Sequence, residues 1–184
     1  MRKKKKKYTY SKPDETVENI LQRDFYASAP NLKRAADVTE FKVPGEQKKL
    51  YLSAVLDLYD RYPAAYTVSA GNDNRLVFET FDRAIAAFPD ARPVFHSDRG
   101  FQYTSRMFQK KLEKQDMEQS MSRAGHCIDN GPAEGFRGIR NGQDRYHCKT
   151  TLEVRQEALD SDMPIEYPIP ENKRINKYKE KWCA

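Results

Sequence analysis

The sequence has little cysteine: three residues, Cys127, Cys148 and Cys183, in a chain of 184. This odd, irregularly spaced set is typical of a reduced, cytosolic protein rather than a disulfide framework. No apolar run approaches the roughly 20 residues needed to cross a bilayer, which excludes a membrane-spanning helix. The charged N-terminus leads into no apolar stretch, so we expect no secretory signal.

Beyond its first 36 residues the chain also lacks an excess of either charge. Residues 1–36 carry ten basic and four acidic side chains, whereas residues 37–184 carry 23 of each. Within that neutral part, residues 37–98 have a net charge of −3 and residues 99–149 a net charge of +4. This distribution argues against nucleic-acid binding over the whole surface and favours a basic arm with local basic patches.

The N-terminus is an unbroken basic run, one Arg followed by five Lys over residues 2–7. Such a run is either a solvated tail or an arm that binds phosphates, in which case Lys3, Lys4 and Lys5 are candidate DNA contacts. Apolar residues at helical spacing between positions 17 and 25 predict a short helix or the remnant of a larger module. We assign residues 1–34 to a basic, partly disordered extension.

The ordered part is predicted to begin near residue 35, where strand and helix patterns alternate between turn signals. Predicted strands cover residues 36–43, 49–58, 64–70, 93–97 and 118–122, and predicted helices cover residues 73–88 and 104–115. Three strands, a helix, a strand, a helix and a strand predict an α/β fold with a mixed five-stranded sheet flanked by helices.

Three acidic residues stand where a metal-dependent enzyme acting on phosphodiesters needs carboxylates. Asp37 opens the first strand, Asp98 ends the buried fourth strand, and Glu134 follows the helix-start signal at residues 129–132. Magnesium and manganese prefer oxygen ligands, and two such ions can activate a nucleophile and stabilise a leaving oxygen. Each residue alone is more often a turn or cap residue, so the prediction depends on the combination.

Polar residues that follow the two later strands are candidates for DNA-backbone contacts. Their alternative interpretation is a solvated loop. The candidates are Arg99, Gln102, Tyr103, Ser122 and Arg123.

Other polar residues have ordinary structural explanations. His96 shares a strand face with Asp98 and either orients a water or phosphate or is a packed strand histidine. Asp57 and Asp60 flank a turn and are most simply turn formers. The adjacent pairs His126-Cys127 and His147-Cys148 do not match the ligand spacing of structural zinc sites.

Several segments together resemble a known family. The matching segments are Asp37–Glu40, Tyr51–Asp57, His96–Ser105, Ser120–Arg123, Asp129-Asn130 and Glu134–Phe136, with 35 residues between Asp98 and Glu134. On these residues the chain resembles the integrase core of bacterial insertion-sequence transposases of the insertion-sequence-three family, which are related to retroviral integrases.

The resemblance implies a ribonuclease-H-like fold in which an Asp-Asp-Glu triad binds two Mg²⁺ or Mn²⁺ ions. By position, Asp37, Asp98 and Glu134 would be the catalytic metal ligands. In such enzymes water cleaves the element end, and the freed 3′-hydroxyl attacks target DNA. The implied partners are DNA, both element ends and target, and a second copy or a full-length transposase. The implied location is the bacterial cytoplasm, at the nucleoid when bound to DNA.

The chain departs from the family at several positions. Arg34 replaces a usual Trp, Arg137 replaces an apolar or aromatic residue, and Asn141 replaces a basic residue that contacts DNA. Gly138 and the turn signal Asn141-Gly142 disfavour a long helix after Glu134. These features predict an internal deletion.

The domain assignment follows from that deletion. It places a catalytic core truncated after the Glu helix at residues 35–141, a remnant of the core's C-terminal end at 142–159 and a polar tail at 160–184. The leading hypothesis is a transposase core for DNA cleavage and strand transfer that is impaired by the deletion. The alternatives are a catalytically inactive fragment that binds DNA or a transposase, and a plain metal-dependent nuclease on the same fold.

Overall fold

The computed structural model describes residues 17–43, 45, 47–123, 127–130, 150–163 and 167. The elements in chain order are β1 (Lys33–Lys42), β2 (Lys49–Asp57), β3 (Pro63–Ser69), α1 (Asn74–Ala87), β4 (Val94–Ser97), α2 (Arg106–Glu113), β5 (Gln119–Met121), a 3-10 helix (Cys127–Asn130) and α3 (Thr151–Leu159). The seven strands and helices predicted from the sequence pattern are all present, with every boundary within three residues of its predicted position.

The five strands form one mixed sheet in the order β3-β2-β1-β4-β5. β1 and β3 each pair with β2 in antiparallel fashion, which accounts for the short turns that join these strands. β4 pairs in parallel with both β1 and β5, and parallel neighbours need a crossover connection such as α1 or α2. The sheet therefore places β1, which carries Asp37, directly beside β4, which ends just before Asp98.

The two crossover helices begin at side-chain caps and pack on one face of the sheet. The carboxylate of Asp73 accepts a hydrogen bond from the backbone N–H of Leu76, and the hydroxyl of Ser105 accepts one from that of Phe108. Such caps satisfy N–H groups that have no partner within the helix and contribute about 1 kcal/mol each.

The core between these helices and the sheet is centred on Phe108, which is fully buried. Its ring lies 5.3 to 5.9 Å from four aromatic rings, and such pairs add about 0.5–1.5 kcal/mol each to the free energy of burial. The four neighbours are Phe78, Phe81, Phe95 and Tyr103. Because Tyr103 follows Asp98 by five residues, this packing also holds the loop after β4 against the core.

The chain before β1 packs against the opposite face of the sheet. Leu21 and Phe25 are each 4% exposed and form a small cluster with Ala35 and Leu58. The predicted short helix is not present, because the described residues 17–32 form turns and irregular backbone. Buried apolar side chains therefore also occur before residue 35, where the sequence pattern placed the start of the core.

Helix α3 docks at the end of the sheet where β1 begins. Its Thr150 cap and Glu153 form a reciprocal capping box, and its Arg155 side chain is 3% exposed. Arg155 donates to Asp60 at 2.9 Å and forms an ion pair with Asp57 at 3.4 Å. Both aspartates also accept hydrogen bonds from backbone N–H groups in the turn after β2, which confirms their predicted role as turn formers. The sequence pattern did not predict that they also pair with Arg155.

Arg34, which the sequence comparison marks as unusual, is buried in the same region. Its guanidinium lies 4.9 Å from the centre of the Phe88 ring and donates to Asn31 at 2.7 Å. Burial lowers the pKa of Arg34 to about 10, although the nearby carboxylates of Asp57 and Asp60 act in the opposite direction. The site that a Trp would fill is thus occupied by a buried cation with anionic neighbours.

None of the described helices is long and apolar enough to cross a membrane.

Candidate active site

The register of β1 and β4 brings two of the three predicted catalytic carboxylates to the same point of the sheet. Ala36 is the partner of Ser97 in the parallel pair, so Asp37 and Asp98 each follow a paired residue. Asp37 and Asp98 are both partly exposed. Burial, and then the charge of Asp98, raise the pKa of Asp37 above its ordinary value. The two side chains therefore interact electrostatically.

The turn after β4 shapes the surroundings of Asp98. The Asp98 carboxylate accepts a hydrogen bond from the Gly100 N–H at 2.9 Å. A Cβ atom at position 100 would lie 3.0 Å from Asp98 Oδ1 and 3.1 Å from Gln102 Oε1, closer than real Cβ contacts normally allow. The backbone N–H groups of Tyr103 and Thr104 both donate to the Gly100 carbonyl. A side chain at position 100 would therefore displace the Asp98 carboxylate or the Gln102 amide by a few tenths of an ångström.

Two of the predicted DNA contacts point into the protein. Tyr103 is 1% exposed, and burial together with the charges of Asp98 and Asp37 raises the pKa of its hydroxyl. Gln102 is 3% exposed and donates to the side chain of Asn72. Neither side chain presents a surface to a DNA backbone, because the core aromatic cluster and the turn of the loop draw both inward.

The other predicted DNA contacts differ in exposure. Arg99 is exposed, and its Nε donates to the backbone carbonyl of Ser122 at 2.8 Å. Ser122 itself is 5% exposed. Arg123 is partly exposed and forms an ion pair with Asp129 at 2.8 Å. Lys3, Lys4 and Lys5 lie outside the described residues. No observation tests whether these lysines, Arg99, Ser122 or Arg123 bind DNA, so their assignment to DNA binding stays a prediction.

His96 is fully buried and connects strand β4 with its surroundings. Its Nδ1 lies 2.8 Å from the Ser120 hydroxyl, and its Nε2 lies 2.8 Å from the Asp129 backbone oxygen. Burial lowers the pKa of His96 below its ordinary value, although its contacts with Asp129 partly oppose this. This geometry is that of a packed strand histidine, one of the two alternatives that the sequence left open.

The sequence interpretation missed the importance of Asp129 and Asn130. Sequence signals placed them at a helix start, and they lie in the 3-10 helix, both fully buried. Burial acts to raise the pKa of Asp129, but hydrogen bonds from Arg123 and Arg23 outweigh it and hold the pKa well below the usual range. Asn130 donates to the Ala36 carbonyl at 3.2 Å, one residue before Asp37.

The donor atoms at this point of the sheet suit a hard divalent cation. The carboxylates of Asp37 and Asp98 supply oxygen ligands of the kind that Mg²⁺ and Mn²⁺ prefer, and a bound cation would relieve their repulsion. Glu134 lies outside the described residues, and so do His126, His147 and Cys148. Within the part of the chain that the structure describes, no group of three or more His, Cys, Asp or Glu side chains could hold a metal.

A mixed five-stranded sheet with acidic residues on β1 and directly after β4 defines a ribonuclease-H-like fold of the integrase type. The fold is shared with a chain of the cryo-EM structure of the simian T-cell lymphotropic virus intasome in complex with PP2A regulatory subunit B56 gamma, at a TM-score of 0.56 and 19% identity. That match covers 90% of this chain and 64% of that chain.

The family is established by sequence. The integrase core domain family matches residues 27–127, and the chain belongs to that family. It is 42% identical over 133 residues to the putative transposase InsK for insertion sequence element IS150 of Escherichia coli, covering 72% of this chain and 46% of that protein.

Other relatives have similar names. The chain is 39% identical over 122 residues to an uncharacterized transposase-like protein of Haemophilus influenzae, covering 66% of this chain and 56% of the relative. It is 37% identical over 120 residues to transposase InsF for insertion sequence IS3A of E. coli, covering 65% of this chain and 41% of that protein. The chain thus spans about half the length of these relatives. The resemblance to insertion-sequence-three transposases is confirmed.

Proposed function

We propose that this chain is a transposase catalytic core for metal-dependent DNA cleavage and strand transfer. The observation that carries the proposal is the pairing of Ala36 with Ser97, which sets Asp37 and Asp98 side by side at the site. Transposase relatives and the integrase core family support the same class of reaction.

Asp37 and Asp98 would hold the metal, and Glu134 is the proposed third ligand. Asn130 is anchored beside Asp37, and the four residues from Asn130 to Glu134 can reach at most about 14 Å when fully extended. The connection therefore allows Glu134 to approach the two aspartates. Two Mg²⁺ or Mn²⁺ ions in such a site supply Lewis-acid activation of the attacking oxygen and stabilise the leaving oxygen.

The protein's own groups prepare the site for that chemistry. The Gly100 N–H orients the Asp98 carboxylate, and Thr39 Oγ1 lies 3.4 Å from Asp37 Oδ2 as a weak donor. The raised pKa of Asp37 means that its carboxylate is held at an electrostatic cost in the metal-free protein. Metal binding would release this cost, which favours occupancy.

A DNA-binding surface is proposed beside the carboxylates. The loop after Asp98 exposes Arg99 and Phe101, and the adjacent helix α2 exposes Arg106 and Lys110. Residues 99–149 carry a net charge of +4, which suits contacts to phosphates. The proposed ligands are element ends and target DNA, with residues 2–7 as an additional electrostatic arm.

The sequence after Glu134 bears on whether the core is active. Gly138 and Asn141-Gly142 favour impaired activity, because glycine and the Asn-Gly turn signal disfavour a long helix after Glu134. The second candidate is therefore an inactive fragment that binds DNA or pairs with a full-length transposase. We place the protein in the bacterial cytoplasm, at the nucleoid when bound to DNA, as a homo-oligomer or in complex with a full-length transposase.

An in vitro assay with end-labelled duplex DNA and a target plasmid, in Mg²⁺ or Mn²⁺, tests this proposal. Strand-transfer products from the labelled 3′-hydroxyl that disappear in Glu134→Gln support the transposase core. Metal-dependent cleavage without such products indicates a nuclease. Mobility shift of the DNA without cleavage, equal in the wild type and Glu134→Gln, indicates the inactive binding fragment.

A further inference from the structure

A buried carboxylate close to the proposed metal site joins the chain before β1 to the segment that follows β5. Asp129 accepts hydrogen bonds from Arg23 Nε at 2.6 Å, Arg123 Nε at 2.8 Å and Asn19 Nδ2 at 3.1 Å. Asp129 is fully buried, and Arg23 is 6% exposed. The chain before β1, the segment after β5 and the 3-10 helix are therefore held together at this one side chain.

The buried imidazole of His96 ties β4 to the same group. Because the Asp129 backbone oxygen can only accept, His96 Nε2 carries the proton and donates to it at 2.8 Å. In the neutral ring Nδ1 then accepts from the Ser120 hydroxyl, whose oxygen in turn accepts the backbone N–H of Ile20 at 3.0 Å. The segment around residue 20 is thus fixed to both β5 and the 3-10 helix.

These contacts end one residue away from each catalytic aspartate. Asn130 donates to the Ala36 carbonyl at 3.2 Å, directly before Asp37. The Ser122 N–H donates to the Ser97 carbonyl at 2.9 Å, directly before Asp98. A shift of the Asp129 group would therefore move backbone on both sides of the carboxylate pair.

We propose that Arg23 and Asp129 are positioning residues of the carboxylate site, through which the chain before β1 sets the metal affinity of Asp37 and Asp98. This inference rests on the proposed metal-dependent function. Arg23 acts on the site through Asp129 and Asn130.

The physical reason is the cost of an unpaired buried charge. Removing the guanidinium of Arg23 leaves the Asp129 carboxylate with fewer donors in a buried position, so the structure must shift to bring water or another donor to it. Groups that orient metal ligands from behind typically change metal affinity by 10–100-fold when they are substituted.

The experiment compares Arg23→Gln with Arg155→Gln in the full chain. Arg155 is the matched control because it is similarly buried and also pairs with carboxylates, but its partners are Asp57 and Asp60 beside the start of β1 and not Asp129. Thermal unfolding is followed across a Mn²⁺ titration, and hydrogen exchange is measured at the amides of Ile20 and Arg123. Arg23→Lys and Asn19→Ala serve as milder variants if Arg23→Gln does not fold.

Both glutamine variants are expected to melt earlier, but only Arg23→Gln is expected to need about 10–100-fold more Mn²⁺ for half-maximal stabilisation. Arg23→Lys should recover part of this loss, and exchange at Ile20 and Arg123 should rise in Arg23→Gln alone. Equal Mn²⁺ requirements in the two glutamine variants would overturn the inference while leaving the metal site standing. A wild-type chain that Mn²⁺ does not stabilise overturns the proposed metal site and this inference together.

Discussion

Asp37 and Asp98 are 61 positions apart in the chain, and the parallel register of β1 and β4 sets them side by side. The pair interacts before any metal is present, because the charge of Asp98 contributes to the raised pKa of Asp37. The proposed metal would relieve this repulsion, so the filled site should be more stable than the empty one. Metal binding at this site can therefore be measured through the free energy of unfolding, even if the chain has little catalytic activity.

The first prediction concerns metal-linked stability. Mn²⁺ at 100 times its dissociation constant should stabilise the wild-type fold by about 2.7 kcal/mol, since it binds the folded state alone. Asp98→Asn should abolish the effect because it removes a ligand. Urea unfolding with and without Mn²⁺ measures this, with Asp90→Asn as the exposed control. An equal Mn²⁺ effect in Asp98→Asn would count against the site.

The second prediction concerns pH. Burial, and then Asp98, raise the pKa of Asp37, so the folded protein binds this proton more tightly than the unfolded chain. The resulting stability is fully present below the ordinary pKa of 3.8 and is lost as the pH rises through the raised value. Metal-free Asp37→Asn should therefore gain stability over the wild type at pH 8, and the gain should shrink towards pH 4. Urea unfolding of both proteins between pH 4 and pH 8 measures the difference in their free energies of unfolding. A difference that does not change with pH would contradict the prediction.

The third prediction concerns the glycine beside Asp98. A methyl group at position 100 would lie 3.0 Å from Asp98 Oδ1, whereas at position 71 the nearest atom outside the adjoining residues, Asp73 Oδ2, is 3.8 Å away. Gly100→Ala should displace the carboxylate and weaken Mn²⁺ binding by about tenfold, as expected for a change behind a metal ligand. Gly71→Ala is the matched control and should leave the Mn²⁺ titration unchanged. Similar titration curves for both variants would show that the site tolerates the methyl group.

The fourth prediction concerns the buried ion pairs of α3. Arg155→Gln removes the guanidinium that pairs directly with the buried carboxylates of Asp57 and Asp60, with Arg34 left as a nearby cation, and should cost about 3–5 kcal/mol in the free energy of unfolding. Arg83→Gln removes an exposed pair with Glu79 and should cost at most about 0.5 kcal/mol. Chemical denaturation of both variants makes the comparison. A small loss in Arg155→Gln would mean that α3 contributes little to the fold.

The fifth prediction concerns Phe101, which is 58% exposed in the loop after Asp98. An exposed aromatic ring beside basic residues suits stacking on an unpaired base, which is worth about 1–3 kcal/mol per base. Phe101→Ala should weaken binding to single-stranded DNA by that amount, as measured by fluorescence anisotropy. Phe41→Ala is the control, since Phe41 is 48% exposed near the end of β1. Equal losses in both variants would exclude a specific role for Phe101.

Local patterns were sufficient for the elements and for the approximate position of the carboxylate pair. Alternating and helical spacings predicted all five strands and the two crossover helices because each repeats over a whole element. The pattern failed over residues 17–25, where apolar side chains at helical spacing lie in turns. Leu21 and Phe25 are buried there by contacts with Ala35 and Leu58, so tertiary packing rather than helix formation explains their spacing.

Local sequence patterns did not predict which side chains in the loop after β4 are exposed. Position in a loop suggested that Gln102, Tyr103 and Arg99 share one role, yet the first two are buried and only Arg99 is exposed. Side-chain direction in an irregular loop depends on which groups fill the adjoining core, and here Phe108 and Asn72 draw Tyr103 and Gln102 inward.

The sequence by itself determined the family, through motifs that match along the chain, and the order of the elements, because strand and helix periodicity are properties of neighbouring residues. It also predicted Asp37 and Asp98 as the carboxylate pair. Only the tertiary structure decided that Asp129 pairs with Arg23 and that Arg155 pairs with Asp57 and Asp60. These partners lie about a hundred positions apart, and any of many Asp and Arg residues could have paired. The choice is made by burial: when the sheet closes, a charge left without a partner costs several kcal/mol, which favours the packing in which these groups are paired.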